Sequence, residues 1–319
     1  MKLWNDKRYN SLDFYLKSTF RDKVYKLSLD AGMSCPNRDG TIGTGGCIFC
    51  SEGGSGDFAS NSTLSITDQI ASAKALVRNK TKSNQYIAYF QAYTNTYAPV
   101  DYLEKIYMEA INHPEIVALS IATRPDCLPD DVLDLLSRCN QIKPVFVELG
   151  LQTIHETTAR LIRRGYSLCM FDEAVTALSS RNIKTIVHVI LGLPTETKKE
   201  ILQTIEYLNT MPIHGVKLQL LHVLKHTDLE KLYLDNPSIF YMLEFPNYID
   251  TVIECIEYLR QDIVIHRLTG DGPKNLLIAP TWSLNKRLVL NTINQKLVQK
   301  GTHQGRKEKH NAIGNSDAL

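Results

Sequence analysis

Six short, nearly uninterrupted apolar runs constrain this chain more than any other feature. They occupy residues 24–29, 86–91, 116–121, 145–149, 185–191 and 215–220. Runs of this length without strict alternation suit a parallel sheet covered on at least one face. Parallel neighbours cannot be joined by a tight turn, so each pair needs a crossover. The intervening segments supply it. Residues 65–80 carry Ile66, Ile70, Ala73 and Leu76 at helical spacing, and residues 100–112 continue the alternation. Pro129 opens a helix with Asp130 and Asp131 in its first turn, where the helix dipole favours carboxylates. Residues 171–181 and 197–211 complete the series. Repeated strand–helix units wind right-handed. Six of them predict an α/β fold, a partial (β/α)6 TIM-like barrel short of the closed eight. Residues 263–268 offer one more strand. The expected organisation is an N-terminal segment (1–22), the barrel (23–227), a C-terminal extension packing on it (228–299) and a flexible basic tail (300–319).

Functional loops of such barrels follow the C-terminal ends of strands. Just after the first run lies Cys35-Pro36-Asn37-Arg38-Asp39-Gly40, continuing to Gly45-Gly46-Cys47-Ile48-Phe49-Cys50, a C-x11-C-x2-C spacing. Seven cysteines is an odd number, and in a chain of 319 residues they argue against a secreted disulfide framework. Cys127, Cys139, Cys169 and Cys255 form no such pair and read as small hydrophobes. A structural zinc site takes four ligands, and no histidine lies between Trp4 and His113. A simple ferredoxin site takes four cysteines. Three thiolates on a cubane cluster leave one iron open for chemistry. The reading is therefore a [4Fe-4S] site with metal ligands Cys35, Cys47 and Cys50.

The cysteine loop with an aromatic before its last cysteine resembles that of the radical S-adenosylmethionine (SAM) superfamily. The wider text resembles the YtqA/YhcC-type family, related to the elongator catalytic subunit and the coproporphyrinogen dehydrogenase lineage. The segments that carry this are Ser34 to Gly40, Gly45 to Cys50, Tyr89 to Tyr97, Thr123-Arg124-Pro125-Asp126 and Glu148 to Thr153. The resemblance implies a radical SAM barrel that cleaves SAM reductively to a 5′-deoxyadenosyl radical. It implies cofactor contacts from Phe49, from Gln91 and Asn95 in place of the usual Gly-Gly-Glu, from Arg124 toward a carboxylate, and from Glu148 toward ribose hydroxyls. Gln152, one of Arg163 and Arg164, and Leu191 complete that implied set. No catalytic residue is assigned. His188 reads either as a lumen residue or as a satisfied core histidine, and His222 and Lys225 are weaker substrate candidates.

Family members have been linked to tRNA wobble-uridine modification at the 5-aminomethyl-2-thiouridine branch, which makes tRNA the expected substrate. A flavodoxin- or ferredoxin-like protein is the expected electron donor. The net charge of +2 adds little support for a polyanionic partner. A small-molecule substrate, or a non-enzymatic cluster-binding or sensing role, remain the alternatives. No apolar run approaches the roughly 20 residues that span a bilayer, and residues 1–6 show no signal-peptide core. The expectation is a cytoplasmic protein with no membrane partner.

Overall fold

The computed structural model describes residues 3–54, 59–80, 83–241 and 244–308. Its strands in chain order are β1 (Tyr25–Leu29), β2 (Tyr86–Phe90), β3 (Ile116–Thr123), β4 (Val145–Gln152), β5 (Lys184–Leu191), β6 (Gly215–Leu220), the two-residue β7 (Val223–Leu224), β8 (Val264–Arg267) and β9 (Leu277–Ala279). Strands β1 to β6 and β8 form one sheet in that order with every neighbour parallel, and β7 pairs antiparallel with β9. The six expected runs are all strands, and residues 264–267 supply the seventh.

The sheet is strongly curled. Lys217 on β6 reaches the Tyr89 hydroxyl on β2 at 3.2 Å, across four strand spacings that would separate them by about 19 Å in a flat sheet. Helices follow the strands. They are α2 (Ile66–Val77), α3 (Val100–Asn112), α4 (Asp130–Ile142), α5 (Glu156–Leu161), α6 (Leu168–Ser180), α7 (Lys198–Leu208), α8 (Asp228–Asp235), α9 (Phe245–Tyr258) and α10 (Lys286–Gln299). They cover the convex side, except α8, which packs on the cysteine loop and β7 at the strand ends. Local chemistry sets several starts: Ser65 and Ser167 accept from amides in the first turns of α2 and α6, and Thr197 with Glu200 forms a capping box on α7. On α2, Ile66, Ile70 and Ala73 are buried as expected, but Leu76 is exposed, and Val77 makes the core contact instead.

The concave side is layered. At the bottom, Val24, Ile87, Ala118, Phe146 and Ile186 pack with Leu16 of the N-terminal helix α1 (Leu12–Phe20), which plugs the barrel. A polar layer follows, and above it opens a cavity. At the chain's end the expectation of a flexible tail is corrected for residues 300–308. Thr302 and Gln304 are buried. Gln304 accepts from the Asn10 amide (2.8 Å) and donates to the carbonyls of Arg260 (2.6 Å) and Ile263 (2.8 Å). Residues 309–319 of that expected tail lie outside the described residues.

Candidate active site

The loop after β1 is folded by its own backbone. The Arg38 and Asp39 amides close on the Cys35 carbonyl (2.7 and 3.2 Å), Ile42 donates to Pro36, and Cys50 donates to Cys47. Gly46 is left-handed (φ +70°), and its amide donates to the Asn37 carbonyl at 2.8 Å. A Cβ there would sit 2.9 Å from Arg38 Nε, so the turn between the cysteines needs glycine.

Asn37 is buried. Its Nδ2 lies 3.5 Å from Cys47 Sγ and donates to the carbonyls of Arg163 (2.8 Å) and Arg164 (3.3 Å). Arg38 donates to the carbonyls of Cys50 (3.0 Å) and Ser51 (2.5 Å). Burial first, then the neighbouring Cys50 thiol, push Cys47 up to about 12; Arg124 and Asn37 oppose them. Cys47 thus feels both neighbouring thiols, and ligation must supply positive charge to take it as a thiolate. Among the described residues no three His, Cys, Asp or Glu side chains converge as a single ion requires. A cluster needs no such convergence, since each thiolate holds a different iron.

Phe49 and Ser51, on either side of Cys50, line a cavity of about 750 Å³ at the C-terminal ends of the strands. Gln91, Gln152, His188, Ile190 and Gln219 line it from β2, β4, β5 and β6, or just beyond them. Gln152 follows a register shift on β4, has φ +68°, and leaves its Oε1 buried without a donor. A buried acceptor in a cavity wall suits a ligand that donates.

Beneath this floor lies the polar layer. Glu148 is buried and accepts from Lys26 (2.5 Å), Ser120 (2.6 Å), His188 Nε2 (2.8 Å) and Lys217. Burial alone would raise the Glu148 carboxyl. The ammonium groups of Lys217 and Lys26, with the His188 hydrogen bond, outweigh it and hold the group well below the usual carboxylate range. Burial, then the Lys217 charge, pull His188 down to about 4, so its ring is neutral. An ionised carboxylate only accepts, so Nε2 carries the proton and Nδ1 accepts from Gln219 Nε2 at 3.2 Å.

The expected cofactor residues therefore divide. Phe49, Gln91 and Gln152 line the cavity. Glu148 does not: its oxygens are taken by two lysines, a histidine and a serine. Arg124 closes bidentately on Asp126 (2.9 and 2.7 Å) and donates to the Arg164 carbonyl (3.0 Å), so its fork is not open to a ligand carboxylate. Asn95 Nδ2 ties together the carbonyls of Phe90 (3.1 Å) and Ala122 (2.9 Å) inside the wall. Arg163 is exposed and pairs with Asp228, while Arg164 is buried among the carbonyls of Leu151, Thr153 and Tyr166 and pairs with Glu156 (2.9 Å). Leu191 faces the helices in the outer core, and Ile190 faces the cavity. Sequence reasoning missed Asn37, Arg38, Lys26 and Lys217. The two lysines carried a signal: each interrupts an apolar strand on the face that Glu148 and His188 share.

Residues 39–208 match the radical SAM superfamily, and residues 213–299 match the radical SAM C-terminal domain. The chain belongs to the radical SAM superfamily. It is 43% identical over 301 residues to YtqA of Bacillus subtilis, covering 94% of this chain and 93% of the relative. It is 38% identical to Escherichia coli YhcC over 85% of this chain and 86% of that one. Among solved structures, archaeal Elp3 of Methanocaldococcus infernus superposes with a TM-score of 0.66 at 14% identity. That match covers 88% of this chain, which spans 64% of the Elp3 chain's length, and it supports the fold. The cofactors of this superfamily, a [4Fe-4S] cluster and SAM, are those of this chain.

Proposed function

We propose that this radical SAM enzyme modifies the wobble uridine of tRNA, with Cys35, Cys47 and Cys50 holding the cluster and the cavity beside them taking SAM and the reacting nucleotide. When bound, the cluster and SAM supply reductive cleavage to a 5′-deoxyadenosyl radical that abstracts hydrogen from substrate. The chain's own groups do the positioning. Asn37 and Arg38 fix the cysteine loop, Gln152 Oε1 accepts from a ligand donor, and Phe49 and Ile190 give the wall apolar surface that excludes water. The paired Glu148 layer keeps the floor rigid and offers no loose hydrogen donor beneath the cavity.

One observation carries this reading: a three-thiol loop at the end of the first parallel strand borders a cavity whose wall holds an unpartnered buried acceptor. Family resemblance supports the tRNA assignment, and a flavodoxin- or ferredoxin-like reductant is proposed on the same ground. The test has two parts. Anaerobically reconstituted, reduced protein given SAM should release 5′-deoxyadenosine; none from fully loaded protein sinks the enzyme reading. Nucleosides from tRNA of cells lacking this chain should show an altered wobble uridine; an unchanged profile removes the tRNA assignment.

A further inference from the structure

The part of the cavity lined from β8 and the loop after it carries a further set of polar groups. Strand β8 delivers Arg267 and runs into Gly270-Asp271-Gly272-Pro273-Lys274. All six of these residues line the cavity, together with His222 and Ser283. The loop sits tightly on the His222 ring. A Cβ at Gly270 would lie 2.5 Å from Cε1, and one at Gly272 would lie 3.3 Å from the ring. The ring is itself fixed. Ser283 Oγ donates to the Pro280 carbonyl (2.8 Å), so His222 Nε2 carries the proton and donates to Ser283 Oγ (3.1 Å). Burial pulls His222 down to about 4, so it stays neutral and backs the loop without charge.

The loop presents two kinds of anion-seeking group. Among the described residues, the amides of Gly270, Asp271 and Gly272 have no acceptor. Unpartnered N–H groups in a loop that lines a cavity are donors that a bound anion can use. The lining also holds Arg267, Lys274 and Lys286 against the single carboxylate of Asp271. Lys286 takes that carboxylate at 2.6 Å and Arg267 stands 3.8 Å from it, while Lys274 forms no ion pair among the described residues. Asp271 is thus neutralised, and a cationic excess remains. A guanidinium, an ammonium and several amides offer more donors than the two oxygens of a carboxylate can accept; the oxygens of a phosphate match them.

We infer that the loop 270–274, with Arg267 and Lys274, is a subsite for a phosphate group of the substrate, in the cavity that Phe49 and Ser51 of the cysteine loop also line. The inference rests on the proposal that the cysteine side takes SAM, which leaves this side to the substrate. The phosphate could belong to a mononucleotide or to an RNA backbone, and the test separates them.

Equilibrium binding of uridine, uridine 5′-monophosphate and a uridine-containing RNA stem–loop should be measured on wild-type protein and on Lys274→Ala and Arg267→Gln. Wild type should prefer the monophosphate to the nucleoside by about tenfold or more, the size of one charge-assisted hydrogen bond. Each variant should lose most of that preference, and Lys274→Ala should lower the salt slope for RNA by about one. Loss on the monophosphate alone assigns the subsite to a small phosphorylated substrate; loss on the RNA alone, or on both, assigns it to a nucleic-acid phosphate. No phosphate preference in wild type for either ligand, or unaltered preference in both variants, overturns the inference. Wild-type 5′-deoxyadenosine formation, measured in parallel, reports separately on the SAM reading: its absence with phosphate preference intact would fault that reading and leave the subsite standing.

Discussion

The loops that leave β1 and β8 stand at opposite edges of one curled sheet, and both are glycine-rich, yet they are built for different partners. The β1 loop satisfies its own backbone, with closures onto Cys35, Pro36, Asn37 and Cys47, and it presents soft thiols. The β8 loop leaves three successive amides open and presents cations, pinned from behind by His222. In a parallel barrel the strands set where side chains converge, and the loops set the chemistry. The comparison teaches that glycine serves opposite ends here: at Gly46 it lets the chain turn back on itself, and at Gly270 it lets the chain lie flat on a ring.

The sharpest way to break the contrast is at the thiols. Cys35→Ala, Cys47→Ala and Cys50→Ala should each lose the cluster, read as iron and sulfide content and as an electron paramagnetic resonance signal. SAM cleavage should fall to background in all three; a variant that still cleaves SAM refutes the assignment of that cysteine.

Next comes the floor that both loops share. Glu148→Gln leaves Lys26 and Lys217 facing each other without a counter-charge, and breaking one side of a buried pair costs about 3–5 kcal/mol. Urea unfolding should show the loss, and Glu148→Gln combined with Lys217→Met should recover part of it. Buried histidines make stability acid-sensitive as well: His188 in the floor, His222 behind the β8 loop, and His214 against Tyr15 and Phe146 at the barrel bottom. His188, His214 and His222 lie near 4 in the folded chain against 6.5 ordinarily, chiefly through burial. Below pH 6.5 the unfolded chain therefore binds protons that the folded chain refuses. Stability should fall from about pH 6.5 toward 4, by up to ~1.4 kcal/mol per pH unit for each ring. Glu148, whose folded value is depressed, adds a loss at lower pH, starting where free carboxylates titrate. A urea midpoint that stays flat between pH 7 and pH 5 contradicts this account.

Smaller effects separate wall from rim. Gln152→Ala removes the unpartnered acceptor and should raise the KM for SAM about 5- to 20-fold, near the 1–2 kcal/mol of a hydrogen bond, with kcat little changed. A fall in kcat alone would place Gln152 in the chemistry and not in binding. Arg163→Ala should do least. Its pair with Asp228 is exposed on both sides, worth at most about 1 kcal/mol. A tenfold rise in the KM for SAM would restore Arg163 to the carboxylate role that the resemblance implies.

Much of this was legible before folding. The six apolar runs are strands, the helices between them begin near their capping residues, and the three cysteines fall where a barrel puts its site. The alternation of side chains even held unused information. His188 and Ile190 share a face, so Leu191 had to point outward, and Lys26 and Lys217 each interrupt a largely apolar strand. Less legible was what each polar group holds. Arg124 could as well have gripped a ligand as Asp126, and Glu148 a ribose as two lysines, because both choices satisfy the same donor inventory.

The sequence by itself determined the parallel strand order, the right-handed crossovers and the thiol set, because these follow from local periodicity and from residue chemistry. Only the tertiary structure decided which charged groups neutralise one another. Lys26, Glu148 and Lys217 come from three strands far apart in the chain, and a carboxylate removed from water takes whichever cations the curl of the sheet brings within reach. The β8 loop meets His222 for the same reason: closing the sheet's far edge sets residues 270–274 against the end of β6, and no pattern within either segment encodes that contact.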